Sequence, residues 1–281
     1  MVEIVADSML GVMQGRLSPV RNGRIQSFPW ETWEDEFPLA RQLGFECLEW
    51  TIDSERISDN PLYCSSGLKS IRELIDNTGI KVESVTCDFF MENPPWESAL
   101  AFEFNVDWLN RLVGSSEQVG ISYIVIPLVD NSSIKQDANL NVVFDCIEKA
   151  RDGISNVYFL FEGDFSPKDF SNIMEGLDEK IYGVNLDIGN SASLGWDPEL
   201  EVRLLAKWIK NVHIKDRKYL GPSVHLGEGD TDFETYLKTL SESGYPNNYI
   251  FQTARANPGE HILVMSQNLK YVKDIMNRVC I

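Results

Sequence analysis

Four polar residues each close a short apolar run. Glu162 ends Val157-Tyr-Phe-Leu-Phe-Glu162, Asp187 ends Tyr182-Gly-Val-Asn-Leu-Asp187, His213 ends Asn211-Val-His213, and Gln252 ends Tyr249-Ile-Phe-Gln252. All four side chains can ligate a metal ion, two through carboxylates, one through an imidazole and one through an amide carbonyl. An oxygen-rich set with one nitrogen suits Mn²⁺, Mg²⁺ or Co²⁺ better than a thiolate-type zinc site, with Zn²⁺ a further candidate, and leaves positions free for substrate oxygens. The residues lie 25, 26 and 39 positions apart. Each spacing fits one strand-helix unit, so neighbouring strands of a parallel barrel would carry all four into one mouth.

The rest of the chain supplies the elements such a site needs. Strand-like apolar runs occur at 9–14, 45–50, 80–87, 121–128, 157–162, 182–187, 210–215 and 248–253, eight in all. Between them apolar residues recur at helical steps, as in Trp33, Phe37, Ala40 and Leu43, or Leu68, Ile71, Leu74 and Ile75. Gly44, Gly79, Gly120 and Gly244 each follow such a stretch, where glycine ends a helix in the left-handed conformation. Eight repeats in 281 residues average about 35 residues each, the size of a βα unit in a closed barrel. The expectation is an α/β protein, a single (β/α)8 TIM barrel spanning residues 1–281. A doubly wound open sheet usually carries a glycine-rich phosphate turn after its first strand, and no GxGxxG or GxxxxGK[ST] is present. Long loops are expected at Thr51–Pro61, Asp88–Trp96, Val129–Gln136 and Asp216–Thr231, on the face where a barrel roofs its pocket.

A net charge of −18 argues against nucleic acid and anionic membrane surfaces as partners, since both are bound through Lys and Arg. Cys47, Cys64, Cys87, Cys146 and Cys280 form no CxxC pair, which reads as reduced thiols in a cytoplasmic protein, with Cys47 and Cys87 in the core. Met1-Val-Glu-Ile-Val-Ala-Asp7 carries acid where a signal peptide needs base.

Three strings, Asn185-Leu-Asp-Ile-Gly-Asn190, Val212-His-Ile-Lys-Asp-Arg217 and Leu226-Gly-Glu-Gly-Asp-Thr-Asp-Phe233, resemble the sugar phosphate isomerase/epimerase family, the xylose isomerase-like TIM barrels. Gly11-Val-Met-Gln-Gly-Arg-Leu-Ser18 and Leu43-Gly-Phe-Glu-Cys-Leu-Glu-Trp50 are similar too, so the resemblance covers nearly the whole chain. It implies a divalent metal held by Glu, Asp, His and Glu, matching Glu162, Asp187, His213 and position 252, where this chain has Gln252. It also implies proton transfer beside a carbonyl through an enediolate, with the two glutamates as acid and base, and Arg217 as a contact to substrate hydroxyls. An amide cannot carry a proton, so Glu162 is the expected base, with Lys215, Glu228 or Asp216 as the second group. The three-metal, many-histidine cluster on a basic DNA groove of the family's endonuclease IV-like branch does not suit a chain with three histidines and a net charge of −18.

Among other polar residues, Arg16 follows the first strand and is suited to a substrate carboxylate or phosphate. Glu49 and Arg255 are further candidate substrate contacts, and His225 and Glu228 share a loop able to close over the pocket. Trp30, Trp33, Trp50, Trp96 and Trp196 are candidate sugar-stacking walls, and His261 has no assigned role. The activity expected is a metal-dependent sugar isomerase or epimerase. A keto-sugar or inosose dehydratase on the same site and a catalytically silent sugar-binding barrel are the alternatives. The expected partner is a small sugar, and a homo-oligomer is compatible with the sequence.

Overall fold

The structure is a computed structural model and describes residues 8–151 and 156–279. The Met1–Asp7 segment and Cys280 lie outside the described residues. Eight strands are β1 (Leu10–Met13), β2 (Cys47–Ile52), β3 (Lys81–Cys87), β4 (Tyr123–Leu128), β5 (Tyr158–Gly163), β6 (Tyr182–Asp187), β7 (Ile209–Ile214) and β10 (Asn248–Phe251). They close in the order β1-β10-β7-β6-β5-β4-β3-β2, with every barrel pairing parallel. The remaining pair, β8 (Asp216–Arg217) and β9 (Ser223–Val224), forms a small antiparallel ribbon after β7. Each expected strand is present within two residues at its start. Gly44, Gly79 and Gly120 end their helices at φ 89, 72 and 85. No helix among the described residues is long and apolar enough to cross a membrane.

Strand alternation divides the core in two. Outward residues pack against the helices, as where Phe161 stacks on Tyr182 with ring centroids 5.7 Å apart and both meet Phe144. Such aromatic pairs add about 0.5–1.5 kcal/mol each beyond their buried area, and these back the strands that carry Glu162 and Asp187. Inside the barrel the filling is different: Met13, Cys47 and Ile250 form a separate apolar cluster. Toward the mouth the interior turns polar, with Glu49, Ser84, Thr86, Asn185, Asn211 and His213 all buried. The pairing slips at Leu48/Glu49 in β2 and at Val184/Asn185 in β6. Such irregularities re-aim side chains, and both lie beside residues of this polar layer.

Candidate metal centre and cavity

Glu162 is the penultimate residue of β5, Asp187 the last of β6 and His213 the penultimate of β7. Asp187 pairs in register with His213. One ligand atom from each of the three lies within 4.8 Å of the others. Gln252 sits one residue past β10, its backbone N–H donating to the Ile214 carbonyl at 3.1 Å. Its side-chain Oε1 is buried and has no hydrogen-bond partner among the described residues.

The three clustered groups are held by a dense set of donors. Asn185 Nδ2 donates to Glu162 Oε2 at 2.7 Å, and Asn190 Nδ2 donates to Glu162 Oε1 at 2.9 Å. Asp187 Oδ1 accepts the N–H groups of Gly189 and Asn190, at the start of the helix Ile188–Leu194. Lys215 Nζ donates to Asp187 Oδ2 at 2.6 Å. That approach needs a glycine at 189, because a Cβ there would lie 2.7 Å from Lys215 Cγ.

His213 is fully buried between two carboxylates, with Nε2 2.7 Å from Glu49 Oε1 and Nδ1 3.2 Å from Glu162 Oε2. Burial favours the neutral ring, but Glu49 and Glu162 outweigh it and lift the His213 pKa to about 10. Glu49 itself would be raised by burial, yet His213, Thr86 and Ser84 hold it below the usual carboxylate range. The field here favours a positive charge, and Nδ1 is the nitrogen that faces Glu162. Glu162, Asp187 and His213 therefore fit a divalent cation, and the orphaned Gln252 oxygen fits as a neutral fourth donor. A histidine whose far nitrogen is fixed by a carboxylate is the usual support for a metal-binding imidazole.

Beside this cluster lies a cavity of about 220 Å³, lined by Arg16, Gln26, Thr86, Asp88, Glu162, Asn190, Lys215, Arg217 and Gln252 among others. It is smaller than the ~300 Å³ at which pockets for drug-sized ligands begin, so it suits one small polar molecule. Arg217 is aimed by Gly221 and Asn190. Arg16 is anchored through Nε to the Thr253 carbonyl and through Nη1 to Ile25 and Gln26. Burial and the neighbouring Arg255 lower the Arg16 pKa to about 9, still above neutrality, so it remains a cation.

Several expected contacts sit elsewhere. Glu49 does not line the cavity: it is fully buried beneath His213 and takes bonds from Ser84, Thr86, Asn211 and His213. Arg255 is spent on the carbonyls of Gly15 and Ser18. Asp216 is used by the N–H groups of Gly227, Gly229 and Thr231. Glu228 is exposed and His225 half-buried on the segment after β9, and neither lines the cavity. None of the five candidate tryptophans lines it either. Trp50, for example, lies in the outer core with its indole N–H on Asn60.

Of the four expected roofing loops, those after β3, β4 and β7 contribute to the cavity, through Asp88, Met91, Val129, Asp130, Lys215, Arg217 and Ser223. The loop after β2 does not. The loop after β1 does instead, through Arg16, Ile25 and Gln26. Asp88 also escaped the sequence reading, although a signal was there: Ser84, Thr86 and Asp88 alternate on one face, and Asp88 closes its apolar run as Glu162 does.

A model of the xylose isomerase-like TIM barrel family matches residues 37–275. The L-ribulose-5-phosphate 3-epimerase of Shigella flexneri is 24% identical over 236 residues, covering 79% of this chain and 82% of that protein. Among solved structures, an L-ribulose 3-epimerase superposes with a TM-score of 0.72 at 14% identity, covering 97% of this chain and 95% of that one. The IOLI protein, solved with a bound zinc atom, gives a TM-score of 0.72 at 17% identity, covering 96% of this chain and 99% of that one.

Proposed function

The chain belongs to the xylose isomerase-like TIM barrel family, and from that membership we propose that it is a divalent-metal-dependent epimerase of a ketose or ketose phosphate. The observation that carries this reading is the convergence of Glu162, Asp187 and His213 within 4.8 Å, with Glu162 lining a small polar cavity. The similarity to L-ribulose-5-phosphate 3-epimerase supports the substrate class. A cation bound to these side chains would supply Lewis-acid polarisation of the substrate carbonyl and offset the negative charge of an enediolate.

The protein's own groups do the rest. Glu162 borders the cavity and takes the proton from the carbon beside the carbonyl, its carboxylate oriented by Asn185 and Asn190. Lys215 and Arg217 offer N–H groups to substrate oxygens on the same wall. Gln252 would supply a carbonyl oxygen without charge, so the set would hold a cation with two carboxylates instead of three and leave more of its charge for the substrate.

The test is incubation with L-ribulose 5-phosphate and D-tagatose in deuterated water, before and after stripping the metal and after reloading with Mn²⁺. Deuterium incorporation at the carbon next to the carbonyl, lost on stripping and restored on reloading, is the expected result. Exchange indifferent to the metal would defeat the proposal, and loss of water from the product would move it to a dehydratase.

A further inference from the structure

We propose that Asp88 is the second proton-transfer group of this site, acting on the substrate face opposite Glu162 in place of the carboxylate that position 252 lacks. The proposal rests on the epimerase reading above. Its first support is position. The cluster comes from β5, β6 and β7, whereas Asp88 directly follows β3, two steps around the ring from the strand that bears Glu162 and four from β7. Asp88 and Glu162 line the same cavity. A molecule held in this cavity therefore meets Glu162 and Asp88 from different strands, with Asp88 across the ring from the His213 end of the cluster.

The second support is orientation. Ser84 and Thr86 both reach inward to Glu49, and Asp88 is the next residue of that parity along the chain. The third is that nothing in the fold uses the side chain. Asp88 is 6% exposed and opens the short helix Phe89–Glu92, yet it makes no capping bond. Its Oδ2 is buried without a hydrogen-bond partner among the described residues. A buried polar group left unpaired in a ligand cavity is available to pair with a ligand. Burial, with Asp53, Glu162 and Glu92 nearby and against the opposing pull of Arg16, raises the carboxyl well above the usual range, the direction a proton donor needs.

The rivals are otherwise engaged. Lys215 is ion-paired to Asp187, Asp216 is consumed by three backbone N–H groups, and Glu228 is outside the cavity. The step balances as follows. The C–H bond breaks toward Glu162, and its electron pair becomes part of the enediolate. The Asp88 O–H bond then breaks, and its proton forms a new C–H bond on the other face. Glu162 is left protonated and Asp88 ionised, and solvent removes one proton and returns one before the next turnover.

The experiment uses Asp88→Asn, loaded with Mn²⁺ and given L-ribulose 5-phosphate and D-tagatose in deuterated water. Epimer formation should fall about 100-fold or more, while deuterium wash-in to unconverted substrate stays within about tenfold of wild type, because Glu162 still works its own face. Asp88→Glu should restore part of the inversion. Unchanged inversion, or equal loss of inversion and wash-in, overturns the assignment of Asp88 alone. In wild type, product formed early should carry solvent deuterium, and product that keeps the substrate's own hydrogen would mean one group serves both faces. A wild-type protein that exchanges no carbon-bound proton would refute the epimerase reading itself, and with it this proposal.

Discussion

The two walls of the cavity are built on opposite principles. On the β5–β7 wall, Glu162, Asp187 and His213 have their polar atoms tied down by Asn185, Asn190, Lys215, Glu49 and backbone N–H groups. On the rest of the rim, at the ends of β3 and β10, Asp88 Oδ2 and Gln252 Oε1 lack partners among the described residues. A saturated wall is preorganised and does not rearrange when charge develops against it. An unsaturated wall costs stability until a ligand pairs with it, which makes it the place where one substrate is told from another.

The largest way to break this contrast is to disable the ordered wall. Glu162→Gln should reduce turnover by about 10²–10⁴-fold, the usual contribution of a general base, while thermal unfolding stays close to wild type. Full activity in that variant would remove Glu162 from its role. Next, Glu49→Gln should weaken cation binding by about 10–100-fold, because it loosens the far side of His213 without touching the cavity. Isothermal titration with Mn²⁺ checks this, and unchanged affinity would make Glu49 a packing residue only.

Acting on the open wall, Gln252→Glu should strengthen Mn²⁺ binding by about tenfold by adding a third carboxylate. Equal affinity of the two proteins would place position 252 outside the cation's reach.

The smallest expected effect concerns the bracing behind the ordered wall. Glu201 receives bonds from Ser191, in the helix Ile188–Leu194 that Asp187 caps, and from Tyr236. Burial lifts its pKa from 4.5 to about 7, so the native state keeps a proton that the unfolded chain releases between those values. Stability from this group is present in full below pH 4.5, declines as pH rises toward 7 and is flat above. Glu201→Gln cannot titrate, so its melting temperature relative to wild type should climb across that window. A difference independent of pH would show that Glu201 does not titrate there.

Much of the ordered wall was legible because strand grammar is local. An apolar run closed by one polar residue marks both the strand and its mouth, and Glu162, Asp187 and His213 all follow it. Glu49 obeys the same rule yet was misplaced. The expected strand ended at Trp50, whereas β2 runs to Ile52, which moves Glu49 from the rim into the interior. Two residues of boundary error thus exchange a substrate contact for a support beneath the histidine. The open wall was harder to read, since the β1 loop that bears Arg16 has no apolar period, and its course is set by distant partners. Glu36, for instance, takes bonds from the N–H groups of Gly15 and Leu17 and from the Ser18 hydroxyl.

Arg16 and Arg255 reach across the seam where the ring closes, each gripping carbonyls on the other's segment. On a ribosome the first repeat emerges long before the last, so Arg16 waits through most of synthesis for the Thr253 carbonyl. A chain halted before β10 lacks the anchor for that guanidinium as well as Gln252. The binding chamber is therefore completed late in translation, and a truncated product should be recognisable to cellular quality control by its open seam.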